Sequence, residues 1–203
     1  MKDLNQALTE ISAIRSQIAR ATEFRGYGPV TVGITGLLAV ASACVQSLAL
    51  PSAARDVSVY IALWSITAAV AAALIGLETI ARSRTIHSGL AQEMILCAVE
   101  QLIPSGVAGV LVAAVLIRVA PESAWMIPGL WEIVFSLGVF ASTRYLPRAV
   151  IAVAAWYLVA GLICLAWSAS TRILSPWAIG LPFGTGQILA AGILWWSSHD
   201  VPA

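Results

Sequence analysis

Four side chains combine groups that can bind a proton or a solute with a strongly apolar setting: Glu100, Trp131, Glu132 and Gln187. Carboxyl and carboxamide groups exchange hydrogen bonds with neutral solutes, and an indole ring offers a flat face for stacking. Ionisable residues inside long apolar segments are rare and commonly mark solute or proton paths. We therefore predict that these four residues line such a path. The alternative is that they only pack or hydrogen-bond between helices.

Glu132 is the strongest candidate because of the length of the segment around it. A helix needs about 20 residues to cross a bilayer, and residues 125–143 barely provide them. If Glu132 lay at the membrane surface, only residues 133–143 would remain to cross. The sequence therefore places Glu132 at membrane depth, where a charged side chain costs about 2.5–3.5 kcal/mol on insertion scales. We expect it to face the bundle interior, to pair with a donor or to stay protonated.

Glu100 and Gln187 are secondary candidates in two other segments. Glu100 stands four residues before Pro104, and a helical proline frees the carbonyl four positions before it. This indicates a polar pocket beside Glu100. Gln187 lies near the middle of the last segment, next to Gly186. At a rise of about 1.5 Å per residue, Glu100 and Glu132 are predicted to differ in depth by about 10 Å. They would then be successive polar positions along one path.

Six apolar segments must position these residues. Hydrophobic residues make up 60% of the 203 residues and charged residues 10%, whereas soluble domains carry about 25% charged residues. The mean hydropathy is +0.89. The sequence therefore predicts an all-α integral membrane protein, with residues 26–203 forming a six-helix transmembrane bundle. The predicted spans are roughly 29–50, 57–77, 94–117, 125–143, 149–168 and 177–196.

Residues 1–25 precede the bundle and carry a heptad pattern. Apolar residues recur at alternating spacings of three and four, which is the seam of a coiled-coil helix: Leu4, Ala7, Ile11, Ile14, Ile18 and Ala21. We expect an amphipathic cytoplasmic helix. Three roles remain open for residues 2–22: folding against their own bundle, forming a homo-oligomer, or docking a cytoplasmic protein partner.

Basic residues predict the orientation in the membrane, because cytoplasmic connections are enriched in Lys and Arg. Three basic residues fall on one side, one in each connection: Arg55, Arg118 and Arg172. The other eight of the 11 fall on the opposite side, together with both termini. We therefore expect both termini in the cytoplasm. The compact connections favour a bacterial protein of the inner (plasma) membrane.

A weak internal pattern suggests three antiparallel helical hairpins, formed by spans 1–2, 3–4 and 5–6. The segment 63–66 resembles 130–133, and 128–132 resembles 182–187 with one residue inserted. This arrangement resembles the bacterial acetate-uptake and acid-gated urea channels in architecture. The acetate family's Asn-Pro-Ala-Pro-Leu-Gly motif is absent, so no residue role is carried over.

The chemistry that the sequence lacks narrows the function further. His87 and His199 both lie outside the predicted spans, and the sequence has no zinc-protease helix motif and no P-loop. The three cysteines, Cys44, Cys97 and Cys164, are far apart in the sequence and form no metal-binding or disulfide pattern. We expect them to be small side chains that fill the core. No catalytic residue, cofactor or metal is predicted, and 11 basic against 10 acidic residues give no nucleic-acid surface.

These observations favour a channel or transporter for a small neutral or protonatable solute, surrounded by the lipid bilayer. The alternative is an accessory or regulatory subunit that transports nothing and docks a partner through residues 2–22. An enzyme acting on a lipid or quinone is a weaker alternative.

Overall fold

The structure is a computed structural model that describes residues 28–50, 56–85, 89–143, 146 and 148–199. In residues 82–85, 89–99, 198 and 199 it describes the backbone alone. Every regular element in these ranges is helical. The α-helices are α1 (Pro29–Ala49), α2 (Val57–Thr85), α3 (Gly89–Val119), α4 (Ile127–Ser142), α5 (Val150–Thr171) and α6 (Trp177–His199). A 3₁₀ helix, Pro121–Met126, leads into α4. The amphipathic helix expected over residues 1–25 lies outside the described residues.

All six α-helices belong to segments long and apolar enough to cross a membrane; for α4 that segment includes the 3₁₀ helix. Large apolar side chains cover their outer surfaces, and Leu48 and Trp167 are 84% and 76% exposed. Such a surface suits contact with lipid and is unfavourable in water. The prediction of an all-α, six-span, multipass membrane protein is confirmed.

Glycines bring two antiparallel helix pairs into especially close contact. The most extensive contacts between helices join α1 to α6 and α4 to α5. A Cβ atom added to Gly36 of α1 would lie 2.9 Å from the carbonyl oxygen of Gly184 on α6. One added to Gly129 of α4 would lie 2.8 Å from the carbonyl oxygen of Gly161 on α5. Small residues allow this approach, which is how membrane helices gain contact energy inside lipid.

The remaining helices are arranged around these two pairs. Helix α2 packs on α1, where the hydroxyls of Ser42 and Thr67 hydrogen-bond at 3.0 Å. Helix α3 packs on α4, and α5 also contacts α6, whereas α2 and α3 touch each other little. The closest pairs thus join the first helix to the last and the fourth to the fifth. The origin of the bundle in three duplicated hairpins stays a prediction.

Candidate functional site

Glu132 lies in the second turn of α4 and points into the bundle. The helix begins with Pro128 in its first turn, a position where a missing backbone N–H is tolerated. The Glu132 side chain is 0% exposed. Its Cβ atom would lie 3.1 Å from a Cβ added to Gly161 of α5, so this glycine makes the room that the carboxyl group occupies.

Both carboxyl oxygens of Glu132 lack a hydrogen-bond partner among the described residues. Buried polar groups in proteins are nearly always paired, and each exception calls for an explanation. An unpaired carboxyl group is costly to bury in either protonation state, and the charged carboxylate costs far more than the neutral acid. The setting of Glu132 therefore favours the neutral acid and leaves its oxygens free for another partner.

Three side chains lie close enough to Glu132 for electrostatic interaction: Tyr60 of α2, and Tyr157 and Cys164 of α5. The two tyrosine hydroxyls are directed elsewhere. Tyr60 donates to the carbonyl of Ser175 at 3.1 Å, and Tyr157 donates to that of Phe183 at 3.5 Å. The pocket around the carboxyl group is thus built from neutral groups.

Several polar side chains in the described part of the chain connect helices through hydrogen bonds. The indole N–H of Trp64 on α2 donates to Gln46 of α1 at 2.9 Å. The indole N–H of Trp156 on α5 donates to the carbonyl of Pro182 on α6 at 3.0 Å. The amide nitrogen of Gln46 lacks a partner, but its oxygen is bonded. Interhelical hydrogen bonding therefore explains these groups and does not explain Glu132.

The other predicted site residues have separate settings. Trp131 donates its indole N–H to the carbonyl of Gly109 on α3 at 3.0 Å and packs against apolar clusters on that side. Glu100 is exposed on α3. The bond to Trp131 places Gly109 of α3 at about the same depth as Trp131 and Glu132. Glu100 stands nine residues before Gly109. At 1.5 Å per residue, it therefore lies about 13 Å from the depth of Glu132 along the helix axis. The structure does not bring Glu100 and Glu132 together.

Gln187 is linked to the surroundings of Glu132 through Tyr157. It is half-buried on α6, and its side chain hydrogen-bonds with that of Tyr157. Tyr157 is 1% exposed, so it is buried in the bundle and interacts with both Glu132 and Gln187. Phe135 and Phe183 pack on Tyr157 with ring centroids 4.9 and 5.1 Å away. These three rings form an aromatic cluster beside Glu132, on the side toward the C-terminal end of α4.

Tyr60, Tyr157 and Cys164 are not among the site residues predicted from the sequence. Tyr157, Gly161, Cys164 and Ser168 follow one another at spacings of four, three and four, which places them on one face of α5. This pattern was available from the sequence. Its relation to Glu132 was not, because it depends on the packing of α4 against α5.

Fold and site together define a multipass helical membrane protein with an unpaired carboxyl group at its core. No group of His, Cys, Asp and Glu side chains suited to a metal ion occurs among the described residues. No protein-family model, curated protein or solved structure matches the chain. The function of the chain is therefore inferred from the geometry of the site alone.

Proposed function

We propose that this protein is a small membrane transporter or channel for a small neutral or protonatable solute, with Glu132 as the group that binds the solute or its proton. One observation carries the proposal: both oxygens of a fully buried carboxyl group have no partner among the described residues. Unpaired ionisable groups are expensive to keep in a membrane, and functional sites are where they are retained. A group that only stabilised the bundle would be paired.

The neighbours of Glu132 support the same proposal. The contact between Tyr157 and Gln187 extends the polar path from Glu132 toward the C-terminal half of α6. The rings of Phe135 and Phe183 cover this path, with centroids 5.1 Å apart. We interpret the arrangement as an occluded state in which the carboxyl group is closed off on this side. Transport then requires these rings to move, as gates in transport proteins do.

The proposal is tested by Glu132→Gln in purified full-length protein reconstituted into liposomes. Proton flux is followed with an enclosed pH-sensitive dye, and urea, acetamide and glycerol flux by stopped-flow light scattering. A hydrogen bond between neutral groups contributes about 0.5–1.5 kcal/mol, so loss of the hydroxyl donor of the neutral acid should lower solute flux by up to about tenfold, and proton flux should be lost with the proton-binding group. Glutamine keeps the size of the side chain but cannot ionise.

Glu122→Gln is the matched control. Glu122 is exposed on the 3₁₀ helix, outside the bundle core. The control should keep the wild-type flux, and both variants should give the same yield of folded protein. The proposal fails if wild-type liposomes carry protons and all three solutes no faster than protein-free liposomes. It also fails if Glu132→Gln leaves every wild-type flux unchanged.

We propose further that the chain lies in a bacterial inner membrane with both termini in the cytoplasm. The support is the distribution of basic residues, eight on the side of the termini and three on the other. The role of residues 2–22 in self-association or in docking a partner stays a prediction, since those residues lie outside the described part of the chain. Transport by the bundle and docking by this segment are compatible.

A further inference from the structure

A groove of about 850 Å³ runs between α5 and α6. One end lies at the connection between these helices, at Ile173 and Ser175, and we call this the distal end. The other end lies at Trp156 of α5 and Pro182 of α6, which are joined by a hydrogen bond. The volume falls within the roughly 300–1,000 Å³ typical of small-molecule sites. The groove is therefore large enough for a small solute.

Polar side chains of α5 line the groove in a single row. Cys164, Ser168 and Thr171 follow at spacings of four and three, so they occupy one helix face, with each residue about one turn from the next. The Cys164 sulfur and the Ser168 hydroxyl are 3.9 Å apart. Thr171 stands at the distal end, and Cys164 lies about 10 Å deeper at 1.5 Å per residue. The row offers successive hydrogen-bonding positions along the groove.

The deep part of this row adjoins Glu132. Cys164 is close enough to Glu132 for electrostatic interaction. Ala160 also lines the groove, and the next residue, Gly161, is the one against which the Glu132 side chain packs. Residues 160–164 of α5 thus contribute both to the groove lining and to the surroundings of Glu132.

The lining indicates which solutes the groove admits. Among the residues that the structure describes, no charged side chain lines it. The groove opens on the flank of the bundle, where Ile163 and Trp167 are 60% and 76% exposed on what is a lipid-facing surface. A charged solute here would meet hydrocarbon on one side and no opposite charge on the other, which is unfavourable by several kcal/mol. A neutral solute with hydrogen-bonding groups avoids this cost.

We propose that the groove between α5 and α6 is the distal entrance to Glu132, and that it admits small neutral hydrogen-bonding solutes and excludes ions. The inference rests on the proposed transport function and adds to it a route and a charge selectivity. A solute enters at Thr171, passes Ser168 and Cys164, and reaches the carboxyl group after a local movement of α5.

Cys164 is a native reporter of this route. The test uses full-length protein in liposomes with Cys44→Ala and Cys97→Ala, which leaves Cys164 as the only one of the three cysteines. Its modification rate is measured with neutral N-ethylmaleimide and with a cationic trimethylammonium-ethyl methanethiosulfonate. Each rate is divided by the rate at which the same reagent modifies the Ser170→Cys variant, made in a Cys164→Ser background. Residue 170 is exposed at the distal end of α5, so this division corrects for the intrinsic reactivity of each reagent.

We expect the normalised rate of the neutral reagent to exceed that of the cation by about a hundredfold, which corresponds to the cost of a charge in hydrocarbon. Equal normalised rates would contradict the selectivity. No reaction of Cys164 with N-ethylmaleimide would contradict the entrance itself.

Two variants close the groove. Ala178→Phe fills it from α6, and Thr171→Trp covers its distal end at an exposed position. Each should slow the modification of Cys164 by N-ethylmaleimide about tenfold or more, from the steric cost of overpacking. The control is Leu162→Cys in the Cys164→Ser background, since Leu162 is 53% exposed and lies outside the groove lining. The rate at which N-ethylmaleimide modifies this Leu162→Cys control should be the same with and without Ala178→Phe or Thr171→Trp. Unchanged rates at Cys164 in both variants would overturn the proposal.

Flux measurements separate this inference from the proposed function. Ala178→Phe should lower solute flux, whereas Glu132→Gln should lower flux without slowing the modification of Cys164. If wild-type liposomes transport a solute and both closing variants leave that flux unchanged, the groove is not the entrance and the proposed function stands. If wild-type protein transports nothing, both proposals fall.

Discussion

At the scale of single residues, Glu132 differs from the tryptophans that connect helices. Trp64, Trp131 and Trp156 each donate a hydrogen bond to a neighbouring helix and so contribute to packing. Glu132 contributes a buried carboxyl group whose two oxygens have no partner among the described residues. Proteins tolerate such a loss of stability where activity needs it. Stability measurements therefore distinguish a functional Glu132 from a structural one.

Glu132→Leu should stabilise the isolated protein. Removing a buried polar group that has no partner recovers its desolvation cost, so the free energy of unfolding should rise by about 1–3 kcal/mol. Unfolding is followed in detergent by circular dichroism or intrinsic fluorescence. A fall of the same size would mean that the carboxyl group is paired in the folded protein.

Gln46→Leu is the matched comparison, because Gln46 is 1% exposed but accepts a hydrogen bond from Trp64. Its substitution leaves the indole N–H of Trp64 without a partner in the core. We expect this variant to lose about 1–3 kcal/mol. Opposite signs for the two variants would separate the structural amide from the functional carboxyl group.

The sequence predicted part of this site and missed the rest for a physical reason. The depth of Glu132 follows from a single helix, since the length of residues 125–143 fixes it. The neighbours Tyr60 and Tyr157 belong to α2 and α5, and their electrostatic interaction with Glu132 depends on how three helices pack. Trp131 faces α3 and its indole N–H is already bonded there, which no property of α4 alone reveals.

At the scale of elements, close backbone contact between glycines determines which helices pair. Gly36→Ala tests this at the α1–α6 contact. The added methyl group would lie 2.9 Å from the Gly184 carbonyl oxygen, which is backbone and cannot rotate away. The helices must separate, and overpacking of this kind costs about 1–3 kcal/mol. A lower midpoint of thermal unfolding in detergent is the expected readout.

Gly192→Ala is the control for helix propensity. Apart from its chain neighbours and the backbone of its own helix, no atom of the described residues lies within 4 Å of a Cβ added at Gly192 on α6. Alanine is favoured over glycine in a helix by about 1 kcal/mol, so this variant should be neutral or slightly more stable. If both alanine variants behaved alike, the α1–α6 contact would not depend on Gly36.

The sequence does not predict which helices pair with each other. The apolar runs identify the six helices because length and hydropathy are properties of one segment. Inside lipid, however, an apolar surface gives no hydrophobic preference for one partner over another, and packing of small residues decides. Gly180 and Gly184 have the spacing of such a contact. That spacing indicates a close approach without naming α1 as the partner.

At the scale of the whole molecule, the contact between α1 and α6 closes the bundle. It joins the first described helix to the last, so the arrangement depends on residues far apart in the chain. The core formed in this way includes Ala39 and Ala43 of α1 and Ile179 of α6. Glu132 of α4 packs against Gly161 of α5, and α4 also contacts α6 of this closed pair.

A disulfide between α1 and α6 tests this closure. A Cβ added to Gly33 would lie 3.7 Å from that of Ala191, within the roughly 3.5–4.5 Å that disulfides require. In a chain lacking its three native cysteines, Gly33→Cys combined with Ala191→Cys should form an intramolecular disulfide on mild oxidation, detected by mass spectrometry of the linked peptides. Gly33→Cys with Gly192→Cys is the control, because Gly192 has no neighbour within 4 Å. Equal yields from both pairs, or links only between two chains, would show that the first and last helices do not meet in this register, and the enclosed setting of Glu132 would lose its basis.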